Sequence, residues 1–186
     1  MTAIDQARVA VLATDGFEKS ELFEPKRRLE AAGATVTVVS PESGSIRSWD
    51  ETDWGESVDV DLALEDARVA DFDALVLPGG QINPDVLRAN RKAVAFVREF
   101  FDSGKTLAAI CHAPWLLVEA GVAKGREMTS YESIATDVKN AGGRWRDAEV
   151  VTDGALITSR NPGDLEAFCT KIIEEIEEGR HERSAA

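Results

Sequence analysis

Short apolar runs alternate along the chain with longer segments in which apolar residues recur at helical spacing. The runs at residues 8–13, 34–39, 74–77 and 106–110 are continuous, which is typical of strands buried on both faces. Residues 14–33 carry an imperfect helical stripe interrupted by Pro25, and residues 91–103 carry a second one that Gly104 ends. This alternation of strands and helices predicts an α/β fold, a doubly wound parallel sheet sandwiched by helices.

The remaining segments give weaker patterns. Residues 57–62 alternate as an edge strand or hairpin does, residues 64–70 indicate a short helix, and Asn83-Pro84 opens a turn or helix. Further on we expect a strand at 128–130, a helix at 133–141, a hairpin of 149–152 with 155–159, and a terminal helix at 162–178. The prediction is a single domain over residues 1–186, with a core from about 8 to 178 and a frayed tail at 180–186.

A cysteine occupies the corner between one predicted strand and the helix after it. Cys111 follows the strand at 106–110, and Pro114 is favoured at the first position of a helix. Small residues stand two places before and after it, Ala109 and Ala113, as a tight nucleophile elbow requires. A helix N-terminus also favours negative charge. The competing interpretation is an inert buried cysteine, because free cysteine is among the most often buried residues.

Three polar or flexible positions follow the ends of predicted parallel strands. Glu18, Gly80 and Cys111 each come shortly after such an end. Ligands of doubly wound sheets bind beyond the carboxyl ends of the strands. The three positions are therefore expected to converge on one crevice.

Composition limits the partners. The chain has 186 residues, 44% of them hydrophobic, and a formal net charge of −13, which argues against nucleic acid or an anionic membrane as partner. A small molecule or a protein is expected instead. Cys111 and Cys169 make no disulfide framework, and with His112 and His181 they show no zinc spacing, so neither metal nor cofactor is predicted. Without a signal-peptide core or an apolar run near the roughly 18 residues of a membrane span, the expected location is the cytoplasm.

The segments DGFEKSEL, ALVLPGG, AAICHAP, TSY, NAGGRW, EVV and TSRNPGDL together closely resemble the PfpI intracellular-protease family of the class I glutamine amidotransferase-like superfamily. The resemblance runs from about residue 8 to residue 176. It implies a flavodoxin-like sandwich, here with a small β-hairpin extension. Members are associated with peptidase, glyoxalase and protein-deglycase activities and with stress resistance, so the resemblance alone does not select the reaction.

The resemblance also implies roles for particular residues. Cys111 is the nucleophile, Glu18 its acidic partner, and the backbone N–H groups of Gly80 and His112 are the oxyanion donors. His112 is oriented by an acid from a neighbouring subunit of a homo-oligomer, a dimer or larger, at the position held here by Asp85. Tyr131 and Asn161 lie in matched loops, and each lines the crevice or serves ordinary packing.

Two departures from the family pattern bear on these roles. Ala113 stands where relatives usually have glycine, which adds a methyl group at the turn, and the segment QINPD before Leu87 is one residue longer. Glu18 also has a plain alternative as a carboxylate at a helix start, His112 as a structural histidine, and Asp85 as a solvated carboxylate. Amidotransfer is set aside, because Glu182 directly follows His181 where a His-x-Glu pattern is needed.

Two functions remain open from the sequence. In the first, the Cys111 thiolate attacks a reactive carbonyl such as methylglyoxal or the adduct it leaves on proteins, or a peptide carbonyl in the peptidase variant. In the second, the chain is a redox-sensing or chaperone-like stress protein whose Cys111 is oxidised to sulfinic acid. An acid that donates a hydrogen bond to the thiolate must be protonated, because a carboxylate would oppose the thiolate by like-charge repulsion.

Overall fold

The computed structural model describes residues 2–179, so the predicted tail at 180–186 lies outside the described residues. The strands are β1 Arg8–Leu12, β2 Phe17–Glu18, β3 Thr35–Ser40, β4 Ser45–Asp50, β5 Asp53–Asp59, β6 Leu62–Ala63, β7 Ala74–Leu77, β8 Thr106–Ile110, β9 Glu127–Met128, β10 Arg144–Trp145, β11 Val150–Asp153 and β12 Leu156–Ser159. The helices are α1 Lys19–Ala31, α2 Ile82–Arg88, α3 Arg91–Asp102, α4 Pro114–Glu119, α5 Ala135–Asn140 and α6 Leu165–Glu178.

A seven-stranded sheet in the order β11-β12-β8-β7-β1-β3-β6 forms the centre of the fold. Its pairs are parallel except β11 with β12, which form an antiparallel hairpin at one edge. The order reverses at β1, because the chain passes from β1 to β3 on one side and later adds β7 on the other. The crevice of the fold therefore opens at the carboxyl ends of β1 and β7.

Each face of the sheet packs against its own helices. Along β1, Val9 and Val11 point to a core that contains apolar residues of α1 and α6, whereas Ala10 and Leu12 point to a core built with α2, α3, α4 and α5. Alternation of side chains along a strand explains this division. A strand that faces a core on each side needs an apolar residue at every position, which explains the continuous runs. The doubly wound sandwich predicted from these runs is confirmed.

Residues 64–70 do not form the predicted helix. A turn follows β6, and the only helical part of this segment is a 3-10 turn at Val69–Asp71. The chain must travel here from the carboxyl end of edge strand β6 to the start of β7, past β3 and β1. Seven residues in an α-helix advance only about 10 Å, whereas extended residues advance roughly twice as far. The path therefore favours an extended chain over a helix in this segment.

The hairpin extension is larger than the sequence indicated. β4 and β5 pair antiparallel, and β2 joins β4 in a separate three-stranded sheet. The segment at 57–62, predicted as an edge strand or hairpin, covers only the last three residues of β5 and reaches the first residue of β6. Within residues 2–179 no helix is long and apolar enough to cross a membrane.

Candidate active site

Cys111 sits at the end of β8 with a left-handed backbone, φ 63°. Its N–H donates to the carbonyl of Ser159 on β12 (3.0 Å), and its carbonyl accepts the N–H of Tyr131 (2.8 Å). A side-chain-bearing residue in this conformation is uncommon, and such strain is typical of strand-to-helix nucleophile elbows. The hydrogen bonds to Ser159 and Tyr131 thus hold Cys111 in an otherwise unfavourable backbone conformation.

Space around the elbow is closed by small residues. Ala109 and Ala113 are fully buried, and a Cβ built on Gly79 would stand 2.6 Å from the Cβ of Cys111 and 2.8 Å from the Ile110 carbonyl. No side chain fits at residue 79 without moving backbone. Gly79, the first glycine of the pair after β7, therefore permits the close approach of the ends of β7 and β8.

The acid beside Cys111 is Glu21, and the prediction that Glu18 holds this place is wrong. Glu18 ends β2 and caps α1, where its carboxylate accepts the N–H of Glu21 (2.8 Å) and the hydroxyl of Ser20. The Glu21 carboxyl is fully buried, accepts the N–H of Gly79 (2.9 Å) and lies beside the Cys111 side chain, since a Cβ at Gly79 would stand 2.6 Å from Cys111 Cβ and closer still to Glu21 Oε2. Two hydrogen bonds to Gly79 explain why Glu21 faces the thiol. The Glu18 N–H donates to the Gly79 carbonyl and the Gly79 N–H donates to Glu21, which together fix the start of α1 against the end of β7.

Burial makes this pair hold at least one proton near neutral pH. Burial, followed by the charge of Glu18, raises the pKa of Glu21 to about 8. Burial, with the negative charge of Glu21, also raises the pKa of Cys111, while backbone N–H groups of Gly80 and His112 act in the opposite direction. Two adjacent anions are unfavourable here. A thiolate therefore forms most readily when the proton resides on Glu21.

His112 reaches the sulfur directly. Its Nδ1 lies 3.1 Å from Cys111 Sγ, and its Nε2 lies 3.1 Å from Ser133 Oγ. The ring stacks on Tyr131 at 4.7 Å between centroids and meets the edge of Trp115 at 5.2 Å. Burial lowers the pKa of His112, which favours the neutral imidazole at pH 7. The ring can therefore accept a proton.

Gly80 follows β7 with a left-handed backbone, φ 81°, and its N–H acts to lower the pKa of Cys111. A Cβ at this position would stand 2.7 Å from the carbonyl of Gly16, so glycine is required. Asn83, fully buried and unexpected from the sequence, accepts the Thr14 N–H (2.8 Å) and donates to the Pro78 carbonyl (2.9 Å). It ties the loops after β1 and β7 together beneath the site.

Asp85 stands apart from the thiol of its own chain. Its carboxylate is exposed and accepts from Arg88, whose guanidinium lies 4.4 Å from the ring centroid of Trp115. Trp115 in turn contacts His112. Within one chain, Asp85 is thus connected to the histidine only through two intervening side chains.

Tyr131 and Asn161 line one cleft beside the elbow, with a volume of about 480 Å³. Trp145, Asp147 and Arg160 also border it. Asn161 additionally caps the turn before α6, accepting the Gly163 N–H at 2.9 Å. The structure therefore brings the two residues to the same cleft, one of them next to His112.

Glu21 could have been found from the helical pattern. Leu22, Pro25 and Leu29 are buried on the inner face of α1, and Glu21 stands four residues before Pro25 on that face. An acid inside an apolar stripe is a signal of a functional or paired group. Among residues 2–179, no group of three or more His, Cys, Asp or Glu side chains is arranged to hold a metal ion.

The family model described as DJ-1/PfpI matches residues 7–175, which includes every element of this site. The chain belongs to the DJ-1/PfpI family. The resemblance inferred from the sequence segments is thereby confirmed.

Relatives of this DJ-1/PfpI chain with a curated name include two deglycases. Deglycase TK1284 of Thermococcus kodakarensis is 46% identical over 166 residues, which cover 89% of this chain and 97% of the relative. Protein/nucleic acid deglycase 2 of Escherichia coli is 44% identical over 163 residues, covering 87% of this chain and 92% of the relative. Both similarities run through nearly the whole of each protein.

Solved structures agree with the fold of this DJ-1/PfpI chain. The crystal structure of Drosophila melanogaster DJ-1beta superposes with a TM-score of 0.82 at 31% identity, covering 93% of this chain and 95% of that one. The central sheet, flanking helices and strand order described above are thus a known arrangement.

Proposed function

We propose that the chain is a cysteine-dependent enzyme that acts on reactive carbonyls, of the glyoxalase or protein-deglycase type, with Cys111 as nucleophile. The observation that supports this most directly is the buried Glu21 carboxyl beside the Cys111 side chain. A carboxyl with a pKa of about 8 exchanges its proton near neutral pH, so its ionised fraction can take the thiol proton and then return it to the substrate. The names of the two deglycase relatives point to the same class of reaction.

The first step is addition to the aldehyde carbon of methylglyoxal, or of the adduct that it leaves on an amine. The Cys111 sulfur forms a bond to this carbon, and the carbonyl π electrons move to oxygen. Backbone N–H groups of Gly80 and His112, which contact the sulfur region, stabilise the developing oxyanion. Glu21 then supplies a proton to the oxygen, which gives a hemithioacetal and a Glu21 carboxylate.

The second step transfers a proton between the two carbons. Neutral His112 removes the proton from the carbon bonded to sulfur, which leaves an enediolate, and His112 then returns this proton to the second carbon. The hydroxyl proton on the first carbon moves to the oxygen on the second carbon through the Glu21 carboxylate. The product is a thioester of lactate. Water hydrolyses it, the carbon–sulfur bond breaks, and the thiolate returns. The net reaction adds one water to methylglyoxal and gives lactic acid, without any oxidant or reductant.

The redox-sensing role is the second candidate, because the same donors that support a thiolate would support a sulfinate. Gly80, His112 and protonated Glu21 surround one buried sulfur. Oxidation there requires peroxide as co-reactant and consumes the nucleophile. The peptidase variant needs in addition a proton donor for an amine leaving group and access for an extended chain.

We also propose that the site is completed in a homo-oligomer. Ile82, Asp85 and Val86 lie on one side of α2, and the two apolar side chains are 38% and 50% exposed. An exposed apolar pair next to a site is a candidate interface. A second copy covering α2 would bury this face and place its Asp85 near the histidine of the first chain.

Turnover of methylglyoxal, measured by NMR detection of lactate, tests the proposed reaction. Wild-type protein should produce lactate, and Cys111→Ala should lower kcat/KM by more than about 100-fold. Cys169→Ala is the matched control, because Cys169 is buried in the α6 core, and burial raises the pKa of Cys169 to about 12. This variant should retain turnover.

The same preparation is then given a peptide panel and, separately, hydrogen peroxide. A Cys111-dependent peptidase rate above the dicarbonyl rate would make peptide hydrolysis the primary function. Absence of any turnover, together with rapid formation of Cys111 sulfinic acid by mass spectrometry, would favour the sensor instead.

A further inference from the structure

The outer nitrogen of His112 is held by a serine of the same chain. The imidazole is 4% exposed, with Nδ1 facing Cys111 Sγ and Nε2 facing Ser133 Oγ, both at 3.1 Å. Ser133 lies in the 3-10 turn Glu132–Ile134 and is exposed. One hydroxyl therefore stands between the buried ring and solvent.

The loop that carries this hydroxyl is fixed to the elbow itself. The Tyr131 N–H donates to the Cys111 carbonyl at 2.8 Å, two residues before Ser133, and the Tyr131 ring stacks on the imidazole. Stacking fixes the plane of the ring but is the same for either tautomer. With the Cys111 thiol donating to Nδ1, the ring hydrogen is on Nε2, and the Ser133 oxygen is the acceptor that stabilises this tautomer.

We infer that Ser133 is a positioning residue that selects the His112 tautomer and carries its proton to solvent. For Nδ1 to take the proton from the substrate carbon bonded to Cys111 it must be bare, and the ring hydrogen must be on Nε2, donating to Ser133 Oγ. The serine hydroxyl hydrogen then points outward. When Nδ1 takes a proton, the Nε2 proton passes to the serine oxygen, and the serine hydrogen passes to water.

This geometry leaves a defined place for the acid expected from a neighbouring subunit. Since Nε2 already has a partner, Asp85 of a second copy would act by its charge or through the exposed serine. The kinetic part of the inference rests on the proposed carbonyl chemistry. The tautomer does not, because it is a property of the resting protein.

The test compares Ser133→Ala with Ser133→Thr, which keeps the hydroxyl, and with Ser43→Ala, which removes an exposed hydroxyl from a turn after β3. Nitrogen NMR of histidine-labelled protein at pH 7.5 reports the tautomer. The chain has two histidines, so a His181→Asn variant assigns the spectrum. Wild type, Ser133→Thr and Ser43→Ala should show the hydrogen on Nε2, whereas Ser133→Ala should show a mixture.

Kinetics supply the second measurement. Loss of one hydrogen bond that orients the base should lower kcat about five- to tenfold in Ser133→Ala with KM unchanged, and Ser133→Thr should restore it. An unchanged tautomer in Ser133→Ala, or a threonine variant that behaves like alanine, would overturn the role of the hydroxyl. A tautomer shift in a protein with no dicarbonyl turnover would support Ser133 and reject the proposed reaction.

Discussion

At the scale of single residues, the site depends on which of two glutamates faces the thiol. Strand ends placed Cys111 and Gly80 correctly from the sequence, because all parallel strands of a sheet end at one edge. Glu18 and Glu21 are three residues apart, and the boundary between β2 and α1 decides their directions. That boundary depends on the contact of Glu18 with Gly79, which a local pattern does not contain.

Replacing Glu21 should change how stability depends on pH. The pKa of Glu21 is raised from about 4.5 to about 8 on folding, so between these values the folded chain holds a proton that the unfolded chain releases. Stability is lost as pH rises through this window, by at most about 1.4 kcal/mol per pH unit. Glu21→Gln removes this loss, so the variant should gain stability relative to wild type between pH 5 and pH 8.

Urea unfolding at pH 5, 6.5 and 8 measures the difference. Glu42→Gln, at an exposed position after β3, is the control for loss of a carboxylate. The difference between its free energy of unfolding and that of wild type should be the same at all three pH values. Parallel pH curves for Glu21→Gln and wild type would show that Glu21 is ionised in the folded protein, and would remove the shared-proton argument.

At the scale of elements, the buried strands were the predictable part. β7 and β8 begin and end where the apolar runs do. The sequence pattern did not predict β4, because this strand buries only Ile46 and Ser48. The Ser48 hydroxyl donates a hydrogen bond to the Glu56 carbonyl. A strand whose inner face is part polar gives no apolar run, so its existence depends on the partner strand β5.

The caps of α1 and α3 provide a matched pair of variants. Glu18 caps α1 through the Glu21 N–H, and Asn90 caps α3 through the N–H groups of Lys92 and Ala93. Alanine at either position should cost about 1 kcal/mol of stability in urea unfolding. Only Glu18→Ala should also alter iodoacetamide labelling of Cys111, because it loosens the turn that holds Glu21 and removes a charge that raises its pKa.

Labelling followed by peptide mapping separates the two effects. The Asn90→Ala protein should be labelled at the wild-type rate. If Glu18→Ala is also labelled at that rate across pH 6 to 9, then the start of α1 does not govern the thiol.

At the scale of the whole molecule, the sheet and its helices bring the described site residues of one chain together. Sequence patterns predicted this sandwich well, because burial on both faces leaves a strong apolar signal. They give no geometry for a second copy. The exposed side of α2, with Ile82, Asp85 and Val86, is the surface on which the oligomer proposal depends.

Mixing two impaired variants tests that proposal. Asp85→Ala and Cys111→Ala should each have reduced turnover, and mixed oligomers should regain part of it, since some sites combine an intact Cys111 with an intact Asp85 from the other chain. Native mass spectrometry confirms subunit exchange. Continued low activity after exchange would place Asp85 outside the neighbouring chain's site.

The left-handed backbone of Cys111 has a consequence for how such a chain evolves. Strain of this kind costs on the order of 1–3 kcal/mol, and buried Glu21 adds its own cost above pH 4.5. Glycine at residue 111 would relieve the first cost, and an apolar residue at 21 the second. A duplicated copy released from selection for activity should therefore drift toward these substitutions, and become more heat-resistant as it becomes inert.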